Sequence, residues 1–386
     1  MWFKLGKRAA FWLSLAILAY AWGASPAQAI SWEGERAAAI KAYQSGNYAA
    51  AADRLSAALQ IAERFGPRDL RLPATLNDLG LTYFRLGRYD EAEPLHRRAV
   101  ELRESTLGAE HPDVAASLND LAFLLVVQGR YAEAEPLHQR ALAIREKSFG
   151  PEDPAVAGSL NNIASLYLEQ ERYAEAEKLY ERALGIVTDK LGPGHSYTVA
   201  SQNNLAALYD EQGRLAEAEA LYQKALGAAE KNLGPSHPQV AASLNNLALH
   251  YDQQGKFDKA EPLYRQALGI ARKTLGPEHP DVAASLEHLA VLYTGRNDFK
   301  EAESLHKQSL AIRRKTLGAE HPLVAQGLYR YADLLIKMGR LAEAKQTQFL
   351  AAAIRKRNLE VNLAQPMTQD SSDPKRRAVH KLKTKN

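Results

Sequence analysis

Five asparagines recur at intervals of 42 residues: Asn77, Asn119, Asn161, Asn203 and Asn245. A carboxamide both donates and accepts hydrogen bonds, so a row of them can hold the backbone of an extended polypeptide without reading its side chains. The same row has a second use. Asparagine inside a helix is mildly unfavourable and seeks a partner, and each side chain could bond the neighbouring helix and keep successive elements in register. Both uses remain open at this level. Further along each period, apolar residues come first, with Phe84, Phe123 and Val126-Val127, and the carboxylates Glu169, Asp210, Glu211 and Asp252 follow. That change suits a ligand with an apolar anchor at one end and positive charge at the other. The plainer alternative is a solvated acidic face.

Other reactive residues do not form a constellation. His111, His195, His237, His279 and His321 recur at the same period or a multiple of it. Metal ligands must converge to about 2.1 Å from one ion, whereas equivalent turns of stacked helix pairs lie roughly 20 Å apart at 8–10 Å per helix. They read as turn residues. Cysteine is absent, which removes disulfides, thiolate metal sites and cysteine nucleophiles. The serine-hydrolase, phosphate-loop and zinc-protease motifs are missing, and Glu133 and Glu135 fall on a solvated first helical turn. Neither a catalytic residue, a cofactor nor a metal is expected.

The elements that carry these residues follow from the repetition itself. Leu107-Gly108-Ala109-Glu110-His111-Pro112 returns at 149–154, 191–196, 233–238, 275–280 and 317–322. A second marker, Gly87-Arg88-Tyr89, returns at 129, 171, 213, 255, 297 and 339. The two divide each period into a pair of segments, each long enough for a helix. Leu118, Leu121, Ala122 and Leu125 have helical spacing, as do Ala134, Leu137, Ala141 and Leu142. Gly108, Gly150 and their equivalents sit where a left-handed cap would close the second helix. Pro112, Pro154, Pro238, Pro280 and Pro322 fit a first helical turn. The fold class is all-α.

These features resemble tetratricopeptide repeats, specifically the 42-residue type of kinesin light chains. The small packing positions carry the resemblance: Gly80, Ala122, Ala164, Ala206, Ala248, Ala290 and Ala332 on the first helix, and Ala92, Ala134, Ala176, Ala218, Ala260, Ala302 and Ala344 on the second. Ala99, Ala141, Ala183, Ala225, Ala267 and Ala351 follow, with Ser309 the exception. The resemblance implies a right-handed superhelical α-α solenoid of about eight helix pairs. It places ligands on the concave face lined by first helices, with the asparagines contacting peptide. Residues 30–72 read as a short first unit and connector, and 73–365 as seven 42-residue units, the last with a polar capping helix. The implied function is a non-enzymatic scaffold or adaptor binding a polypeptide partner, as a monomer. The alternatives are a structural or assembly component of the cell envelope, or an envelope-tethered regulator.

The ends have a different character. Lys4, Lys7 and Arg8 precede the apolar run 9–21 and the triplet Ala27-Gln28-Ala29, the layout of a secretory signal peptide over residues 1–29. Export to the periplasm or beyond the cell is expected. Expression with this leader in an exporting bacterium should yield a chain whose N-terminal sequence begins at Ile30; a chain retaining Met1 would contradict the assignment. The net charge of +4 belongs to the ends, because residues 30–365 hold 40 basic and 43 acidic residues. That body is not a nucleic-acid platform. Residues 366–386 carry six basic side chains and read as a disordered tail, the one place where membrane contact is expected.

Overall fold

The computed structural model describes residues 31–364, and every regular element in that span is a helix. The proposed leader and basic tail lie outside the described residues. Unit 1 pairs α1 (Trp32–Gln44) with α2 (Tyr48–Arg64), and unit 2 pairs α3 (Arg71–Arg85) with α4 (Tyr89–Leu107). Unit 3 is α5 (Pro112–Val127) and α6 (Tyr131–Phe149); unit 4 is α7 (Pro154–Glu169) and α8 (Tyr173–Leu191). Unit 5 is α9 (Ser196–Glu211) and α10 (Leu215–Leu233); unit 6 is α11 (Pro238–Gln253) and α12 (Phe257–Leu275). Unit 7 is α13 (Pro280–Gly295) and α14 (Phe299–Leu317), and unit 8 is α15 (Pro322–Lys337) and α16 (Leu341–Ala364). The two helices of a unit pack most heavily on each other, and each second helix packs next on the first helix of the following unit. The result is a solenoid of tetratricopeptide type.

Alanine-sized notches hold the stack together. Ala92, Ala134, Ala176, Ala218, Ala260 and Ala302 are fully buried, as are Ala122, Ala164, Ala206, Ala248, Ala290 and Ala332. Small side chains allow helix axes to approach to about 8 Å. Where serine replaces alanine at Ser309, its hydroxyl donates to the Ala283 carbonyl at 2.7 Å, so no polar group is left unpaired. At Gly80 even a methyl group would meet the His96 ring at 2.7 Å.

The turns follow their sequence signals with one difference. His111, His195, His237, His279 and His321 are N-caps: Nδ1 of each accepts the backbone N–H two residues on. Asp153 performs the same task in unit 4. The glycines that end the second helices do not form the left-handed helical cap suggested above. Their φ is 86–92° but ψ is 151–164°, an extended region essentially confined to glycine. The positive φ of 71–77° occurs in the turn within each unit, at Gly46, Gly87, Gly129, Gly213, Gly255 and Gly339. Glu171 and Asn297 take that place in units 4 and 7 with φ of 61° and 63°.

Arginines bridge the units along one edge. Arg130, Arg172, Arg214 and Arg340 each bind a glutamate three residues on and another in the preceding unit. Exposed pairs of this kind contribute little, about 0–1 kcal/mol. Arg172→Ala is expected to lower stability by less than about 1 kcal/mol in denaturant titration; a larger loss would show that the edge holds the units together. On the outer side of α16, Phe349 is 77% exposed and Leu350 44%.

The stack also returns upon itself. The turn of unit 1 meets the start of α13, and the turn of unit 2 meets the start of α15. Helices α2 and α14 touch as well. Six units therefore complete one superhelical turn.

Candidate functional site

The asparagine row runs along the seam between units, and its members in units 5 and 6 also border the concave cavity described below. Asn77, Asn119, Asn161 and Asn203 are buried, and each Nδ2 donates to a hydroxyl of the next first helix. The pairs are Asn77–Ser117 at 3.2 Å, Asn119–Ser159 at 3.3 Å, Asn161–Ser201 at 3.1 Å and Asn203–Ser243 at 3.0 Å. The carbonyl oxygens of Asn77 and Asn119 face Nδ1 of His96 and His138, at 3.3 and 2.7 Å. In units 4 to 6 tyrosines 180, 222 and 264 replace histidine, and Oδ1 of Asn161, Asn203 and Asn245 has no protein partner. Asn245 is only half-buried. For Asn77, Asn119 and Asn161 this burial and bonding matches the register use of the row. A residue one step past a core leucine is turned by about 100° on the helix, which points it at the following unit. The second step reaches the groove.

The half-exposed groove column is Asp78, Asp120, Asn162, Asn204, Asn246, His288 and Arg330. It was not singled out in the sequence, although it lies one position beyond the asparagines. Asp78 bonds Arg36 at 2.8 Å. Asp120 accepts from Asn77 at 3.0 Å, and burial pushes its carboxyl up to about 7 despite Arg103 and Arg145.

Unit 7 departs from the row. Glu287 stands at the asparagine position, 1% exposed, ion-paired with Arg313 and, at 3.0 Å, with Arg330. Burial alone would raise its pKa, but the two guanidiniums hold the carboxyl below its ordinary value. Gly327 occupies the hydroxyl position of unit 8, and a Cβ there would lie 3.1 Å from Arg313 Nη1. A carboxylate–guanidinium contact replaces the amide–hydroxyl rung.

A cavity of about 300 Å³ opens along the concave side of units 3 to 7. Phe123, Val126, Val127 and Leu168 form its apolar end, and Glu169, Asp210, Glu211 and Asp281 its acidic wall. Asn203, Asn204, Asn245, Asn246 and His288 also border it. Four of the expected groove residues, Phe123, Glu169, Asp210 and Glu211, therefore converge. Phe84 lies outside the lining but extends the apolar end, its ring 5.3 Å from that of Phe123. Asp252 is not part of the lining; its charge acts on the buried Tyr264 hydroxyl. Asp210 is partly committed, because His250 Nδ1 lies 2.6 Å from its carboxylate. His250 interrupts a column of leucines (Leu124, Leu166, Leu208, Leu292), a visible signal for that pairing.

Among the described residues, no group of three or more His, Asp or Glu could hold a metal ion. Among the same residues, no helix is long and apolar enough to cross a membrane.

Paired helices, buried small residues and a continuous concave face define a helical-repeat solenoid. The tetratricopeptide repeat model matches residues 29–105, 71–147, 113–189, 155–231, 197–273 and 239–315. The chain belongs to the tetratricopeptide repeat family. Similar solved structures include the putative kinesin light chain of Podosopora anserina with nearly identical TPR-like repeats. It is 33% identical, with 54% of this chain and 98% of that chain covered and a TM-score of 0.43. A Rap protein complexed with competence and sporulation factor is 17% identical, with 80% of each chain covered and a TM-score of 0.58. The Rap conjugation gene regulator of plasmid pLS20, in complex with the Phr* peptide, is 16% identical over 78% of each chain, with a TM-score of 0.57. No curated protein matches the sequence.

Proposed function

We propose that the chain is a non-enzymatic scaffold that holds an extended segment of a partner polypeptide in its concave groove. The observation that carries this reading is the change of wall within one cavity. Phe123, Val126, Val127 and Leu168 offer an apolar seat, and Glu169, Asp210, Glu211 and Asp281 offer negative charge next to it. An apolar side chain would enter at units 3 and 4, and Lys or Arg would follow toward units 5 to 7. Charge complementarity of this kind sets orientation and partner choice more than raw affinity. The fold itself is compatible with such a ligand, as the pLS20 regulator in complex with the Phr* peptide illustrates. With the secretory leader read in the sequence, the scaffold works outside the cytoplasm, as a monomer.

The test uses two labelled hexapeptides that share two leading apolar residues and end either in Lys-Arg or in Glu-Glu. The full chain is expected to bind the basic peptide at least about tenfold more tightly, a difference of about 1.4 kcal/mol. Glu169→Gln with Glu211→Gln should remove most of that preference, and added salt should weaken it. Equal binding of both peptides would overturn the assigned polarity. Binding unaffected by Phe123→Ala would overturn the apolar seat.

A further inference from the structure

The contact between units 1–2 and units 7–8 has features of a device, not of accidental touching. His321 caps α15 through Nδ1, which accepts the Leu323 N–H at 3.0 Å. Its other nitrogen, Nε2, lies 3.1 Å from the Arg85 carbonyl, 236 positions away in sequence. An acceptor at Nδ1 and a donor at Nε2 define the neutral Nε2–H tautomer. A proton added at Nδ1 would point at the Leu323 N–H and break the cap. It would also place a positive charge within the electrostatic reach of Arg313, against which the Arg85 carbonyl acts in the opposite direction. His279 sits in the same way against the turn of unit 1, its Nδ1 accepting the Asp281 N–H at 3.1 Å. The other groups facing this contact are Tyr43, which accepts from Arg85 Nε at 2.9 Å, and Tyr48 and Asp281, within electrostatic reach of Arg85. His279 and His321 are 6% and 5% exposed, whereas the equivalent His111 is half-buried and His237 is exposed.

The opposing turns fit only as glycine. A Cβ on Gly87 would lie 2.5 Å from Pro322 Cδ, and one on Gly46 would collide with Pro280. Gly129, Gly213, Gly255 and Gly339 share the positive φ, yet a Cβ on any of them would meet nothing within 4 Å. The backbone conformation is common to all six turns; the close approach belongs to two.

We propose that this contact is a clasp that closes the superhelix around its groove and that acidification releases it through His321. Burial holds the imidazole down to about 4, from an ordinary 6.5. A histidine with a depressed closed-state pKa favours closure fully above the open-state value. That contribution fades as pH falls from 6.5 toward 4. His321 alone is expected to lower the closed-to-open ratio about twentyfold between pH 7 and pH 5. The clasp stands or falls independently of what the groove binds.

Small-angle scattering on the full chain at pH 7 and pH 5, with helix content followed by circular dichroism, tests this. The unchanged chain should expand at pH 5 while keeping its helices. Gly87→Asn should be expanded at both pH values, and Gly129→Asn should behave as the unchanged chain. Asparagine already occupies this turn in unit 7, so both variants retain a competent turn. His279→Asn combined with His321→Asn keeps both N-caps but removes the two titrating groups of the contact, so its dimensions should not differ between the two pH values. Unchanged dimensions on acidification, a Gly87→Asn chain as compact as Gly129→Asn, or pH-dependent expansion persisting in the double histidine variant would each overturn the proposal.

Discussion

Glu287→Ala is expected to destabilise the C-terminal end of the solenoid by about 3–5 kcal/mol, the usual cost of removing one partner from a buried ion pair. Arg313 would be left 5% exposed with a single backbone acceptor, Leu323, and Arg330 would lose its partner on the first helix. The replacement is informative because the neighbouring units show how the same space is filled without a carboxylate. In unit 3, Arg145 donates to the Ala155 carbonyl and to Ser159 Oγ, and Asn119 donates to that same serine. Glu287→Asn together with Gly327→Ser should rebuild this arrangement around Arg313 and recover most of the loss. Denaturant unfolding monitored by circular dichroism gives the comparison. A loss below about 1 kcal/mol in Glu287→Ala, or a double variant no more stable than the single, would contradict the buried pair. Since repeat arrays unfold in parts, the first transition should report units 7 and 8.

The second large effect concerns the asparagine row. Asn119→Ala, Asn161→Ala and Asn203→Ala combined are expected to cost about 3–6 kcal/mol, taking about 1–3 kcal/mol for each buried partner left unsatisfied and allowing for coupling between adjacent rungs. Ser201 and Ser243 would lose their asparagine donors, Ser159 would keep only Arg145, and His138 would lose its acceptor. Asn204→Ala with Asn246→Ala, one position further on, should change stability by less than about 0.5 kcal/mol per site while weakening peptide capture. The two variants separate register from recognition. A stable triple variant that fails to bind would return the row to the groove.

Much of this architecture is legible in the sequence because repetition averages out local ambiguity. The period, the helix pairs, the alanine notches and the first-turn prolines each recur often enough to fix their meaning. Convergence of Phe123 with Glu169, Asp210 and Glu211 also follows, since Phe123 lies one helical turn before the position of Glu169 and Glu211, and neighbouring turns of successive first helices line one face. The facing of the asparagines does not follow. A shift of one residue turns a side chain by about 100°, and the period alone cannot separate groove from seam. Glu287, Arg313 and Gly327 could have been seen together as departures within adjoining units, but their mutual contact needs the packed geometry. The clasp is less legible still, since it depends on a small rotation between units summed over six of them. His279 and His321 are indistinguishable in type and spacing from His111 and His237.

The most direct test of the groove's role is a random-peptide display selection on the immobilised full chain, repeated on a chain carrying Phe123→Ala, Glu169→Gln and Glu211→Gln. Selected peptides should share an aromatic or aliphatic residue followed within a few positions by Lys or Arg, and this enrichment should vanish on the substituted chain. Enrichment of acidic sequences, or an identical peptide set on both chains, would contradict an apolar-to-acidic groove as the site where this solenoid meets its partner.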